Sequence, residues 1–169
     1  MLKIINDMKP FFENCYARIS VRQYARMMKI TPPTASSLLK LYEKEGLLLS
    51  ARDRNYIMFY ANRESKVFIG LARLYWQYKL TELAEFLENK LTSPTLVLFG
   101  SLSKAETKPD SDIDLAIFAA KRNVDSGLFE KKLKRKIQIF WYSSPKDVTS
   151  KELQNSIING HILAGRLIL

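Results

Sequence analysis

Between residues 95 and 118 two short apolar runs bracket a small set of polar residues, and no other stretch constrains the fold as tightly. Thr95 to Phe99 reads as a β-strand that ends directly in Gly100 and Ser101, followed by a helix-compatible stretch, Leu102 to Glu106. Strand, glycine, serine and helix start together make a phosphate cradle. Glycine permits close backbone approach, free N–H groups at a helix start point toward an anion, and the serine hydroxyl adds a donor. After ten intervening residues come Asp112, Ile113 and Asp114, leading into the β-type run Leu115 to Phe118. Side chains two apart on a strand face the same way, so both aspartates project from one face. Paired carboxylates repel each other unless a cation lies between them, and magnesium favours such hard oxygens together with those of a triphosphate. The plainer reading is a surface turn, Pro109, Asp110 and Ser111, running into an edge strand with solvated aspartates. Asp112 alone suits that reading. Asp114 does not, because it sits between Ile113 and Leu115, where an unpaired carboxylate is costly.

The rest of the chain sets this site in context. With 169 residues, 47% hydrophobic and 26% charged, it suits one largish domain or two small ones. No apolar run reaches the roughly 18 residues needed to cross a bilayer, and the N-terminus lacks a signal-peptide pattern, so no membrane association and a cytoplasmic location are expected. The single cysteine, Cys15, builds neither a disulfide framework nor a zinc site alone, and reads as a small buried hydrophobe. A net charge of +10 favours a polyanionic partner, since basic residues that neutralise phosphates release condensed counterions. The first 63 residues are the most basic part, with 11 basic and 5 acidic residues.

Residues 2 to 14 read as a helix that Pro10 kinks or interrupts. Ser20 and Gln23 form a capping box opening a helix over Val21 to Met28. A turn with two prolines then starts a third helix that runs to about Glu45, where Gly46 offers a left-handed cap. On that helix Ala35, Leu38, Leu39 and Tyr42 share one face, while Ser36, Ser37, Lys40 and Lys44 share the other. Two β-rich runs follow, Leu47 to Ala51 and Tyr56 to Ala61, joined by Arg52, Asp53, Arg54 and Asn55. This order over residues 1–63 resembles a winged helix-turn-helix, in which the second helix of the pair enters the major groove. By that resemblance Ser36, Ser37, Lys40, Lys44, Arg52 and Arg54 contact duplex DNA. The competing reading is a solvated helix face on a protein-binding or dimerising domain. Residues 64–92 carry apolar residues at helical spacing and read as a helical connector for core or dimer packing.

Gly100-Ser101, ten residues, then Asp112-x-Asp114 resembles the signature of the DNA polymerase β nucleotidyltransferase superfamily. It is nearest the minimal nucleotidyltransferases, the compact prokaryotic group that includes toxin-neutralising antitoxins. The likeness covers residues 93–169. Lys104 stands where the family has a basic residue near the phosphates, and Ser111 precedes the first aspartate as it commonly does. The resemblance implies that Gly100, Ser101, Lys104 and Ser111 bind nucleotide, and that Asp112 and Asp114 are the catalytic, magnesium-ligating pair. A hydroxyl would attack the α-phosphorus and pyrophosphate would leave, with a two-metal clamp as the physical rationale. Two positions depart from the pattern. Ala105 stands where glycine is usual. Gln138, in the strand-like segment Lys136 to Tyr142, stands where a third carboxylate is expected, and a neutral amide is no base and a weaker metal ligand. Asp125 and Glu130 are candidates to supply that charge.

Farther along, Lys131, Lys132, Lys134, Arg135 and Lys136 read either as a grip for an acidic partner or nucleic acid, or as a solvated helix end. Trp141 and Tyr142 pack on the sheet, Ser150 to Asn159 forms a last helix, and His161 lies in an apolar tail with a structural role. The expected architecture is therefore α+β: an N-terminal winged helix-turn-helix (1–63), a helical connector (64–92), and a polymerase-β-like nucleotidyltransferase domain (93–169) with a small mixed sheet flanked by helices. The cofactors implied are Mg2+ and a nucleoside triphosphate, ATP first, as substrate or ligand. One function is transfer of a nucleoside monophosphate to a macromolecular hydroxyl. The other is a DNA-binding regulator, antitoxin-like, whose nucleotidyltransferase domain binds nucleotide only. A protein acceptor, a toxin partner and a homodimer stay open.

Overall fold

The structure, a computed structural model, describes residues 3–167. The chain divides into two compact units, one made of Met1–Ala72 with Ala105–Pro109 and the other of Arg73–Lys104 with Asp110–Leu169. The division falls inside a helix rather than at residue 63 or 92, and a five-residue piece of the later sequence belongs to the first unit.

The first unit opens with two short helices, Lys3–Asp7 (α1) and Lys9–Glu13 (α2), in place of the single helix expected; its anticipated first residue, Leu2, lies outside the described residues. Pro10 sits in the first turn of α2, where its missing N–H has no intrahelical bond to lose. Ile5, Met8, Phe11 and Phe12 are buried. After the two-residue strand Ile19–Ser20 (β1), the capping box is present: Gln23 N–H donates to Ser20 Oγ at 3.3 Å, and Ser20 N–H donates to Gln23 Oε1 at 2.8 Å. It starts Val21–Met28 (α3), and Thr31 caps Pro32–Lys44 (α4), whose buried face is Ala35, Leu39 and Tyr42.

Leu48–Asp53 (β2) and Tyr56–Ala61 (β3) form a hairpin, and β1 joins it to give an antiparallel sheet of order β1-β3-β2. Asp53 pairs with Tyr56, so the connection is only Arg54 and Asn55, shorter than the four residues expected from sequence. Arg52 is a strand residue, and Arg54 turns the chain at φ 53°.

A buried polar network ties α1 to α3 and α4. The Tyr42 hydroxyl donates to Asp7 Oδ2 at 2.6 Å, and the Tyr24 hydroxyl donates to the Asp7 carbonyl at 2.8 Å. Burial raises both phenols above their usual range, with the Asp7 carboxylate reinforcing the shift. The borrowed segment is tied in by Cys15 N–H, which donates to Thr107 O at 2.8 Å. Lys66–Lys79 (α5) carries the chain from the first unit into the second.

The second unit comprises Thr81–Lys90 (α6), Thr95–Phe99 (β4), Gly100–Ser103 (α7), Ile113–Phe118 (β5), Gly127–Leu133 (α8), Ile137–Tyr142 (β6), Lys151–Ile158 (α9) and His161–Ala164 (β7). Its sheet runs β6-β5-β4-β7; β4 is antiparallel to β5 and β7, and β5 is parallel to β6. The sheet is thus mixed, as expected. Every residue of β4 is buried. On one face Val97, Phe99, Ala116 and Phe118 pack with Val148 and with Ile157 of α9. Two readings need correction here. The apolar tail after Gly160 is a fourth strand, paired with β4, and the helix after the glycine starts at Gly100 and ends at Ser103 instead of covering Leu102 to Glu106.

Candidate active site

Antiparallel pairing of β4 with β5 puts the end of one beside the start of the other, with Phe99 opposite Asp114. Gly100 therefore follows the strand directly alongside the Asp114 carboxylate. Its φ of +70° lies in the left-handed region, and a Cβ built there would collide with the Asp114 side chain. Glycine is required twice over, for backbone conformation and for space. Ser103, buried at the end of α7, closes the turn by donating its hydroxyl to Gly100 O at 3.0 Å. Ala105 has φ 57° and is buried, so the left-handed turn usual for glycine survives here with a methyl group.

Asp112 lies just before β5 and Asp114 within it, and the two carboxylates interact. Burial, reinforced by the charge of Asp112, pushes the Asp114 carboxyl above the ordinary carboxylate range. Parallel pairing of β5 with β6 places Gln138 opposite Asp114, and Gln138 Nε2 donates to Asp112 Oδ2 at 2.6 Å. The amide thus occupies the third position of the cluster. Neither alternative carboxylate replaces it: Glu130 Oε1 accepts from Ile137 N–H at 2.8 Å, and Asp125 Oδ1 accepts from Gly127 N–H at 2.9 Å. Both have local structural work, one at the entry to β6 and one at the start of α8. Ser101 is half-buried in α7, Lys104 is exposed at its C-cap, and Ser111 is half-buried one residue before Asp112.

Two arginines brace these segments: Arg73, which the sequence did not mark, and Arg135 of the basic cluster. Arg73 Nε donates to Ser103 O at 2.8 Å while its Nη2 donates to Asn159 O at 3.0 Å, linking α7 to the turn before β7. Arg135 Nη1 donates to Ser111 O at 2.6 Å, and its guanidinium lies 5.1 Å from the centroid of the Trp76 ring. Within the basic cluster, Arg135 therefore holds the approach to Asp112, and Lys132 pairs with Glu82. The signal that could have marked Arg73 is weak: it is one cation on a helix with no local partner in sequence. His161, in β7, contacts Gln77 Oε1 at 3.1 Å, and its pKa is lowered by burial and then by Arg73.

Among the described residues no group of three or more histidine, cysteine, aspartate or glutamate side chains forms a self-sufficient metal site. Two adjacent carboxylates with a raised Asp114 nevertheless fit one hard divalent cation whose remaining ligands are nucleotide and water oxygens. The cost of the unneutralised pair is testable. A carboxyl raised in the folded state carries no penalty below its unfolded pKa and the full penalty above the folded value, so stability falls as pH rises through that window. Asp114→Asn is expected to melt about 2–4 °C above the parent at pH 7 without divalent metal, a gain that shrinks as pH falls and is gone below about pH 4. Equal melting temperatures at pH 7 in a differential scanning experiment would show that the two charges do not strain each other.

A glycine turn closed against a strand carboxylate, with a second carboxylate just before that strand, on a mixed sheet, defines a nucleotidyltransferase-like domain. The family described as polymerase beta nucleotidyltransferase matches residues 81–169, which is 89 of the 169 residues. The chain belongs to that family. The matched span starts at the first residue of α6, so it takes in that helix as well as the segment carrying the signature. No curated protein and no solved structure matches the chain. No helix among the described residues is long and apolar enough to cross a membrane.

Proposed function

We propose that the second unit binds a magnesium-complexed nucleoside triphosphate and transfers its nucleoside monophosphate to a hydroxyl on a macromolecule. The observation that carries this reading is the closure of Gly100 on the Asp114 carboxylate, beside Asp112. Phosphate-binding backbone and paired carboxylates meet at one point, and a fold kept only as scaffold has no physical need of that. Gly100 and Ser101 hold the terminal phosphates, with Lys104 and Ser111 at the margins, and Asp112 and Asp114 ligate the metal. When bound, the metal neutralises phosphate charge and stabilises the departing pyrophosphate. In the reaction the acceptor oxygen bonds to the α-phosphorus as the bond to the bridging oxygen of pyrophosphate breaks. The hydroxyl proton leaves to a carboxylate or to water, because the Gln138 amide does not accept it.

A second reading has its own observation. Gln138 donates to Asp112, so the position of a general base is held by a hydrogen-bond donor. On this reading the domain binds nucleotide without turning it over and reports on it. For either reading the first unit is proposed as a winged helix-turn-helix. It presents Ser36, Ser37, Lys40 and Lys44 of α4 and the hairpin residues Arg52 and Arg54 to duplex DNA. All but the half-buried Ser36 are exposed, and Ser37 donates its hydroxyl to Pro33 O. ATP as the nucleotide, a protein acceptor or toxin partner, a homodimer and a cytoplasmic location belong to the same proposal.

The separating experiment is magnesium-dependent transfer from each of four α-labelled nucleoside triphosphates to protein or nucleic acid in a host lysate. The natural chain, Asp112→Ala with Asp114→Ala, and Gln138→Asp are run side by side. Label that needs both aspartates establishes the enzyme; transfer seen only with Gln138→Asp establishes the binding-only reading. No label in any of the three, together with no nucleotide affinity by calorimetry, would remove both. For the first unit, Lys40→Glu with Arg54→Glu should weaken duplex binding and flatten its salt dependence, and an unchanged salt slope would sink the DNA reading.

A further inference from the structure

We propose that the first unit carries a second anion site, a cleft for a phosphate monoester built by Arg18 and Arg63 on the outer side of its sheet. The cleft, about 270 Å3, is lined by Tyr16, Arg18, Tyr60, Asn62, Arg63 and Glu64 among others. It is formed wholly within the first unit, on residues that neither the DNA-contact face of α4 nor the Gly100–Asp114 cluster uses. Its sheet face is the one carrying Leu49 and Tyr60, which pair across β2 and β3; Leu48 and Ala61, the next pair along, are buried.

Each arginine is held by a ring. The Arg18 guanidinium lies 5.2 Å from the centroid of Tyr60, and that of Arg63 lies 4.2 Å from the centroid of Tyr16. The Lys108 ammonium approaches the same Tyr16 ring at 5.4 Å. Stacking engages the face of a guanidinium and leaves its edge, with its N–H donors, for a planar or forked acceptor. Arginines often lie over tyrosines merely to cover apolar surface. Here two of them converge on one cleft, and among the described residues neither forms an ion pair with a carboxylate. Among the cleft's lining residues Arg18 and Arg63 face the single carboxylate Glu64, an excess of positive charge that an oxyanion would neutralise. Guanidinium forks suit the terminal oxygens of a phosphate dianion, and side chains held beforehand lower the ordering cost of binding. A cleft this size admits a phosphate with part of a sugar, not a duplex. The chemistry is shared by a free nucleotide and by the phosphorylated end of a nucleic-acid strand.

The test uses the full chain labelled with 13C in its tyrosine rings, in buffer without divalent metal, so that the reporters belong to this cleft. Tyr16 and Tyr60 are assigned with Tyr16→Phe and Tyr60→Phe. The probes are inorganic phosphate, AMP, and a thymidine dinucleotide with and without a 5′-phosphate. The expected result is a saturable shift of both rings with the phosphorylated probes, at least about ten-fold weaker with the unphosphorylated dinucleotide. Arg18→Gln with Arg63→Gln should abolish it, and Lys40→Glu should leave it intact. Arg18→Lys with Arg63→Lys keeps the charge without the fork and should weaken binding about ten-fold, which serves if the glutamine variant does not fold. AMP bound more tightly than the phosphorylated dinucleotide assigns the cleft to free nucleotide; the reverse order assigns it to a strand end. No saturable shift with any phosphate probe, equal affinity for the unphosphorylated dinucleotide, or binding unchanged in a folded arginine variant would overturn the proposal.

Discussion

Gly100→Ala is expected to lower magnesium-nucleotide affinity by about 100-fold or more while leaving the chain folded. The left-handed backbone costs an alanine on the order of 1–2 kcal/mol. The new Cβ also collides with the Asp114 side chain, so either the turn or the carboxylate has to move. Displacing either by about an ångström takes donors and charge away from the bound phosphates, and a combined loss of roughly 3 kcal/mol corresponds to the stated factor. Calorimetry with a nonhydrolysable nucleotide reads it directly, with circular dichroism as the folding control. Affinity within three-fold of the natural chain would mean that the nucleotide phosphates lie elsewhere.

The second large effect concerns stability. Tyr42→Phe is expected to destabilise the first unit by on the order of 2 kcal/mol, lowering its melting temperature by roughly 8–16 °C. Asp7 is only 8% exposed, and the Tyr42 hydroxyl donates to its carboxylate at 2.6 Å. Removing the donor leaves a buried charge unsatisfied, which costs more than the hydrogen bond itself contributed. Tyr24→Phe is the matched comparison, because its hydroxyl meets only the Asp7 carbonyl, a neutral acceptor. It should cost about half as much. If the two variants melt together, the carboxylate has found another partner or water, and the network is not a determinant of stability.

What the sequence made legible was local. The Ser20–Gln23 box, the Gly46 turn and the glycine-serine step before Asp112 each declare themselves within a few residues, and all three occur in the structure. The family resemblance also placed Gln138 in the third position of the cluster, where the β5–β6 register puts it opposite Asp114. Several of the misses are long-range. His161 to Ala164 has no alternation to mark a strand, and its partner, Leu96 to Leu98, lies more than 60 residues earlier. Arg73 and Asp7 look like ordinary helix residues until folding supplies Ser103 O, Asn159 O and the Tyr42 hydroxyl. The stop after Ser103 was hidden for another reason: Ala105 is a poor advertisement for a left-handed turn, yet it makes one.

The five residues Ala105–Pro109 fall between the glycine turn and the aspartate pair, yet they belong to the first unit. The backbone therefore passes from one unit to the other three times, after Ala72, Lys104 and Pro109. Two domains joined by one linker can be parted by a single cut; these cannot. A fragment ending near residue 72 would lack the carbonyl that receives the Cys15 N–H, and a fragment starting there would keep an unanchored insert inside its own signature. A recombination joint near the middle of the chain would therefore disturb both units.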